Sequence, residues 1–162
     1  MTGSKATVED ALSNLASRLK LDSLTLNESN ETYLLFDQKF HVTCTFDEAK
    51  DEFILSTMIG EVERGSVEAY KKILGDNFFW AGTAGSRLYL APTGDDKPDM
   101  LTLKEIVPMA MFDAERLYER MEDFVNAVEY WTGEYPKLPQ GGSSSFSSSS
   151  EGAVGAMPMM SA

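Results

Sequence analysis

The sequence predicts an α+β fold in which three helices flank a twisted antiparallel sheet of about five strands. Two observations carry this prediction. Segments near both ends of the chain repeat apolar residues at the three- and four-residue spacing of amphipathic helices. The segments between them alternate apolar and polar residues or form short apolar runs, as strands do, and turn-forming residues separate them. The predicted order is helix, three strands, helix, two strands, helix.

The first predicted helix begins at Thr7. Its hydroxyl is the expected N-cap, and Glu9 and Asp10 place negative charge in the first turn, where the helix dipole favours it. Apolar residues then share one helix face over three or four turns. These are Val8, Ala11, Leu12, Leu15, Ala16 and Leu19.

A three-stranded meander is predicted to follow this helix. Residues 32–36 are aromatic and apolar, residues 40–46 alternate with the period of a half-buried strand, and residues 52–59 come after a polar turn. Apolar residues occupy both alternating positions of these strands. We therefore expect both sheet faces to be covered, one by the helices and the other by a second subunit or a bound segment.

The second helix is predicted at residues 66–74, with Gly75 as its stop signal. Two more strands are expected at residues 87–91 and 100–106. The segment between them, residues 92–98, is rich in proline, glycine and aspartate, which favour turns.

The third helix is predicted from Asp113 to about Thr132, and we expect Gly133 and Pro136 to end it. Its apolar residues are spaced by four, three, four and three positions, which puts them on one face. They are Leu117, Met121, Phe124, Val128 and Trp131.

The charge of the chain is strongly negative. It has 26 acidic and 14 basic residues, and a formal net charge of -12. Residues 136–162 contain one cation and one anion, Lys137 and Glu151, so the excess lies on residues 1–135. A domain this acidic repels phosphate backbones, so nucleic acid is not an expected partner. Because residues 136–162 are rich in serine and glycine, we expect a flexible tail beyond a folded domain of residues 1–135.

Location and redox chemistry also follow from the sequence. A single cysteine excludes an intramolecular disulfide. The first 20 residues lack the apolar centre of a signal peptide, and no apolar run is long enough to cross a bilayer. We expect a cytoplasmic protein that does not insert into membranes.

No catalytic residue, metal site or cofactor is predicted. His41 and Cys44 are three positions apart on one strand, so their side chains should point to opposite faces. Residues 82–85 resemble part of a phosphate loop but lack its lysine, and we interpret them as a turn. An enzyme that uses only carboxylates is the remaining catalytic alternative.

Several motifs resemble those of one protein family. The run ILGDNFFW at residues 73–80, followed by Gly85 and by LYL at residues 88–90, is similar to the central signature of the CesT/Tir-type, or class I, chaperones of type III secretion. The segment FVNAVEYW at residues 124–131 is similar to the closing helix of that family. The resemblance covers roughly residues 5–135.

The resemblance implies a homodimer that binds the N-terminal segment of one or more secreted effectors. The segment is held in extended form, and the effector stays soluble and competent for secretion. No cofactor is used and no reaction is catalysed, and the secretion ATPase is a candidate further partner. The alternative is a regulator of the same fold that sequesters a transcriptional activator or its antagonist.

Two sets of site residues are predicted on this basis. The expected effector-binding residues lie on the first helix and the sheet. An alternative remains for the three leucines of the helix, which could instead be residues of the hydrophobic core. They are Leu12, Leu15, Leu19, Leu34, Phe36, Phe40 and Val42. The dimer interface is expected on the second helix and the segment after it. Its residues are Val67, Tyr70, Ile73, Phe78 and Trp80.

Overall fold

The computed structural model describes residues 4–79 and 82–139. Three α-helices and five strands follow one another in the predicted order, with two short 3-10 turns at Met109–Met111 and Tyr135–Lys137. The elements are α1 (Lys5–Leu19), β1 (Glu31–Phe36), β2 (Phe40–Asp47), β3 (Glu52–Val62), α2 (Val67–Phe79), β4 (Arg87–Ala91), β5 (Asp99–Pro108) and α3 (Ala114–Glu134). The predicted α+β fold is confirmed.

The five strands form one antiparallel sheet in the order β1-β2-β3-β5-β4. The strands β1 and β4 are therefore its two edges. The strand β3 pairs with β5 along nearly its whole length, with an irregularity between Met58 and Gly60. Its ladder with β2 is shorter and ends at the pair Thr43 and Ser56.

The core lies between one face of the sheet, here called the inner face, and the helices α1 and α3. All five residues of the predicted α3 stripe are buried, and Trp131, Phe124 and Leu117 are among the fully buried side chains. The strands supply alternate residues from the inner face, of which Phe53 and Leu55 are fully buried. The opposite, outer face exposes apolar residues. They include Tyr33, Leu35, Met58, Tyr89 and Ile106.

The N-cap of α1 is Ser4, and the prediction of Thr7 was wrong. The Ser4 hydroxyl accepts a hydrogen bond from the Thr7 backbone N–H at 3.2 Å. Thr7 lies inside the first turn, where its own hydroxyl is 2.9 Å from Ser4 Oγ. Serine three residues earlier provides the same capping chemistry, so the helix begins one turn sooner.

The prediction that Gly75 ends the second helix was also wrong, because α2 continues to Phe79. The Asn77 amide accepts a hydrogen bond from the Leu88 N–H and donates one to the Leu88 carbonyl, both at 2.8 Å. These two bonds hold the last turn of α2 beside the edge strand β4. They offset the cost of a glycine inside a helix, which is about 1 kcal/mol.

The third helix likewise passes through Gly133 and ends at Glu134, and Pro136 lies in the following 3-10 turn. Asp113 is the N-cap and accepts from the Arg116 N–H at 2.8 Å. Leu138 is buried, so the chain stays packed on the domain just beyond α3. Of the predicted tail, residues 140–162 lie outside the described part of the chain.

A tyrosine anchors this last described segment. The Tyr135 hydroxyl donates to the Glu61 carbonyl at 2.7 Å, and its ring lies against Gly60. A Cβ atom on Gly60 would stand 2.3 Å from the ring. The close approach therefore requires glycine at this position.

We expect Gly60→Ala to lower the free energy of unfolding by about 1–3 kcal/mol, because the added methyl must displace the Tyr135 ring and break its hydrogen bond. Chemical denaturation measures the change. Gly75→Ala is the matched control, since a methyl group there would meet nothing within 4 Å beyond its own stretch of helix. It should raise stability by up to about 1 kcal/mol. Equal effects of both changes would contradict the packing described here.

Candidate binding surfaces

The single histidine and the single cysteine lie on opposite faces of β2, as predicted. His41 is exposed and Cys44 is fully buried in the core. Burial raises the pKa of the Cys44 thiol to about 12, so the thiol is protonated at neutral pH. A nucleophile and its base must be within hydrogen-bonding reach, and these two side chains are separated by the sheet.

No group of three or more histidine, cysteine, aspartate or glutamate side chains is placed to hold a metal ion within residues 4–79 and 82–139. Residues 82–85 form a turn that leads into β4. None of the described helices is both long and apolar enough to cross a membrane.

A groove runs between the end of α1 and the edge strand β1. We call it the α1–β1 groove, and its volume is about 490 Å³. This volume is within the range of ordinary ligand sites. Its walls are mainly apolar and include Leu35, which is 53% exposed. The apolar lining residues are Leu19, Leu21, Leu24, Tyr33, Leu34, Leu35 and Phe36.

The predicted effector-binding residues divide into two groups. Leu19, Leu34 and Phe36 line the α1–β1 groove, and Phe40 lines a separate cleft. The others, namely Leu12, Leu15 and Val42, are fully buried in the core. Their side chains do not line the groove.

Four apolar lining residues were missed by the sequence analysis. Leu21 and Leu24 follow the helix, beyond a left-handed residue at Lys20 that turns the chain back over the groove. Tyr33 and Leu35 lie on the face of β1 opposite to Leu34 and Phe36. The sequence shows apolar residues on both faces of this strand. Only the position of β1 at the sheet edge lets residues of both faces line one groove.

The second cleft opens where β2 diverges from β3. We call it the β2–β3 cleft, and its volume is about 770 Å³. The ladder between the two strands ends at Thr43 and Ser56, and α3 closes the cleft from one side. Its lining includes Phe40, His41, Met58, Ile59, Val128 and Thr132.

A row of exposed apolar residues follows one face of α2. Val67, Leu74 and Phe78 are separated by seven and four positions and are 59%, 68% and 79% exposed. We call them the α2 stripe. Phe79 is also exposed and stacks edge-on against Phe78, with ring centres 4.9 Å apart. Adjacent exposed side chains of this size indicate an interaction surface.

The predicted dimer residues fall on both sides of α2. Val67 and Phe78 are on the stripe, but Ile73 is buried in the core. Tyr70 is half-buried, and its hydroxyl donates to Asp99 at 3.1 Å and accepts from the Gly65 N–H at 2.8 Å. Trp80 lies outside the described residues.

The sequence analysis did not assign Leu74 and Phe79 to the interface. Leu74 lay within the predicted helix, whereas Phe79 lay beyond the end predicted at Gly75. Seven-residue spacing from Val67 to Leu74 was visible in the sequence. Only a helix that continues past Gly75 adds Phe78 to the same face.

Ion pairs lie on the helices that bear these surfaces, one between α1 and α3 and one within α2. Arg18 on α1 pairs with Glu115 on α3, and its guanidinium lies 4.8 Å from the Tyr118 ring centre. The hydrogen bond from Arg18 lowers the pKa of Glu115. On α2, Lys72 is 3.0 Å from Asp76, whose hydrogen bond raises the pKa of the lysine. These pairs are near the surface and each contributes little stability.

Comparison with known proteins identifies related folds. The model of the Tir chaperone protein (CesT) family matches residues 10–132. No relative is found among curated proteins. Among solved structures, a chain of the ExsC–ExsE complex is 18% identical, with a TM-score of 0.65, over 85% of this chain and 98% of that chain.

Two further structures share the fold. A chain of the HopA1–SchA chaperone–effector complex is 15% identical, with a TM-score of 0.64, over 80% of this chain and 95% of that one. The Yersinia pestis type III secretion chaperone SycH, solved with a stable fragment of YscM2, gives 19% identity and a TM-score of 0.55. That match covers 77% of this chain and 99% of the other.

Burial of Cys44 generates a prediction about its reactivity. We expect the native thiol to react with a maleimide at least about 100-fold more slowly than the thiol of the chain unfolded in denaturant, because only an accessible thiolate is nucleophilic. Mass spectrometry at pH 8 measures both rates. Native and unfolded rates within threefold of each other would contradict the burial of this residue.

Proposed function

Since this chain belongs to the Tir chaperone protein (CesT) family, we propose that it acts as a class I type III secretion chaperone. It binds the N-terminal segment of one or more secreted effectors in extended form and keeps them soluble and competent for secretion. The family match over residues 10–132 is the observation that carries the proposal. The chaperone role requires neither a cofactor nor a catalytic residue.

The α1–β1 groove is the proposed effector-binding site. An extended segment can place apolar side chains in the groove while its backbone pairs with the edge of β1 beyond Glu31. Each edge strand is capped at one residue: Asn27 bonds to the N–H and carbonyl of Glu31 on β1, and Asn77 bonds to those of Leu88 on β4. The apolar groove beside β1 is therefore what favours strand addition at that edge.

The charge of the protein suits a basic or aggregation-prone partner. A net charge of -12 attracts cationic segments and speeds their encounter with the chaperone. The same charge disfavours nucleic acid as a partner. An effector segment that becomes ordered on binding spends part of the interaction energy on that ordering.

We assign the dimer interface to the α2 stripe. Val67, Leu74 and Phe78 stay mostly exposed against the described part of the chain, and their pairing with a second copy would remove them from water. Ile73, which was predicted at the interface, holds α2 to the core instead. We place the homodimer in the bacterial cytoplasm, with the secretion ATPase as a further partner.

Affinity capture from the cytosol of the native host tests the proposal. The tagged full-length chain should recover one or a few secreted proteins, each bound through a protease-resistant N-terminal segment. Recovery of a transcription regulator that is not secreted would support the regulatory alternative. Recovery of secreted proteins that bind through other segments would contradict the proposed mode of binding.

Leu35→Asp is expected to weaken effector binding about tenfold or more. The new carboxylate would be buried without a partner when the segment fills the α1–β1 groove. Calorimetry with the captured effector segment measures the effect. Met111→Asp is the matched control, because Met111 is equally exposed and lies outside the groove. Unchanged affinity in Leu35→Asp would remove the groove from the binding site.

Phe78→Glu is expected to raise the dimer dissociation constant about tenfold or more, because each protomer would bring an unpaired carboxylate into the interface. Sedimentation equilibrium measures the constant. Leu35→Asp should dimerise normally and serves here as the control. A Phe78→Glu protein that remains dimeric at the wild-type concentration would place the interface elsewhere.

A further inference from the structure

The β2–β3 cleft is an opening within the sheet itself. The pairing of β3 with β2 stops at Ser56, but β3 continues to Val62. In the described part of the sheet, these further residues pair with β5 on the other side. At the point of divergence the Thr57 hydroxyl donates to the His41 carbonyl at 2.6 Å, so a side chain replaces the next ladder bond. The strand therefore presents an open edge next to a cleft of about 770 Å³.

The walls of this cleft are suited to apolar side chains. Phe40 and Ile59 are half-buried, Val128 is buried below them, and Met58 is 73% exposed. A concave apolar space beside an open strand edge is the arrangement that binds an extended segment. It is separate from both the α1–β1 groove and the α2 stripe.

The last described residues of the chain are held close to this cleft. The Tyr135 ring packs on Gly60, the neighbour of Ile59, and its hydroxyl bonds to Glu61. Ser66 donates to the Pro139 carbonyl at 2.8 Å. The chain therefore continues into residues 140–162 from a point beside the end of β3.

The length of the remaining chain is sufficient to reach the cleft. A Gly/Ser-rich linker from residue 140 to residue 157 has an expected end-to-end distance of about 23 Å. Its far end is then present near the domain at an effective concentration in the millimolar range. A contact with a dissociation constant below about 1 mM is mostly populated at such a concentration.

The chemistry of the C-terminal end matches the cleft. Residues 140–162 carry one charged side chain, Glu151, so an acidic domain repels them little. Met157 and Met159 are two positions apart, which puts both on one side of an extended segment. Thioether side chains adapt to irregular apolar spaces.

We propose that residues 153–160 of this chain dock in the β2–β3 cleft of their own protomer, with Met157 and Met159 packed against Phe40, Met58 and Ile59. The cleft thus holds an internal ligand. The proposal does not depend on effector binding, because the α1–β1 groove remains open.

Methionine oxidation in the full-length chain tests the proposal. Under dilute peroxide, Met157, Met159 and Met58 should each oxidise about tenfold more slowly than exposed Met111. This ratio is expected when the docked form is about ten times more populated than the undocked form. Peptide mass spectrometry gives each rate. Buried Met109 and Met121 report that the domain stays folded.

A variant in the cleft locates the protection. Met58→Asp should bring the rates of Met157 and Met159 up to that of Met111, and Met111→Asp, the matched control, should leave them slow. Protection that survives Met58→Asp would place the segment elsewhere and overturn the proposal. So would oxidation of Met157 and Met159 at the Met111 rate in the wild type, or protection lost on dilution, which would indicate a second copy.

Discussion

The packing of α3 against the inner face of the sheet holds the other elements in place. Leu117, Met121, Phe124, Val128 and Trp131 all enter the core from one side of this helix, and full burial of each contributes about 1.5–3 kcal/mol. The helices α1 and α3 contact each other and together cover this face. The outer face and the edge strand β1 receive no such cover from the described part of the chain, so apolar residues there remain available to partners.

The helix α2 buries fewer of its residues than α1 or α3. Ala69 and Ile73 are its buried residues, and the Asn77 amide fixes its last turn to β4. Lys72 adds a contact with its Nζ atom 5.7 Å from the Trp131 ring centre. A helix held along one narrow side keeps its other side free, which explains why four large apolar residues of α2 are exposed without disrupting the fold. The dimer interface that we propose lies on this free side of α2.

Divergence of β2 from β3 produces the β2–β3 cleft. Their ladder ends at Thr43 and Ser56, although β2 begins three residues earlier at Phe40, and residues 40–42 pair with β1. A fully paired sheet offers no such opening. Where two neighbouring strands separate, their backbone groups and side chains become accessible together. The α1–β1 groove arises differently, from the turn after α1 and the position of β1 at the sheet edge.

The sequence alone determined the order of the elements and the family resemblance. It also determined the exact bounds of β4 and the placement of His41 and Cys44 on opposite faces of β2. These features depend on periodicity and local turn chemistry, which neighbouring residues decide. It did not determine that α2 passes Gly75, because the stabilising Asn77–Leu88 bonds join residues 11 positions apart. Nor did it separate buried Leu12, Leu15 and Val42 from exposed Leu35. Periodicity assigns a residue to a face, but strand order and helix placement, set by contacts between distant segments, decide which face is covered.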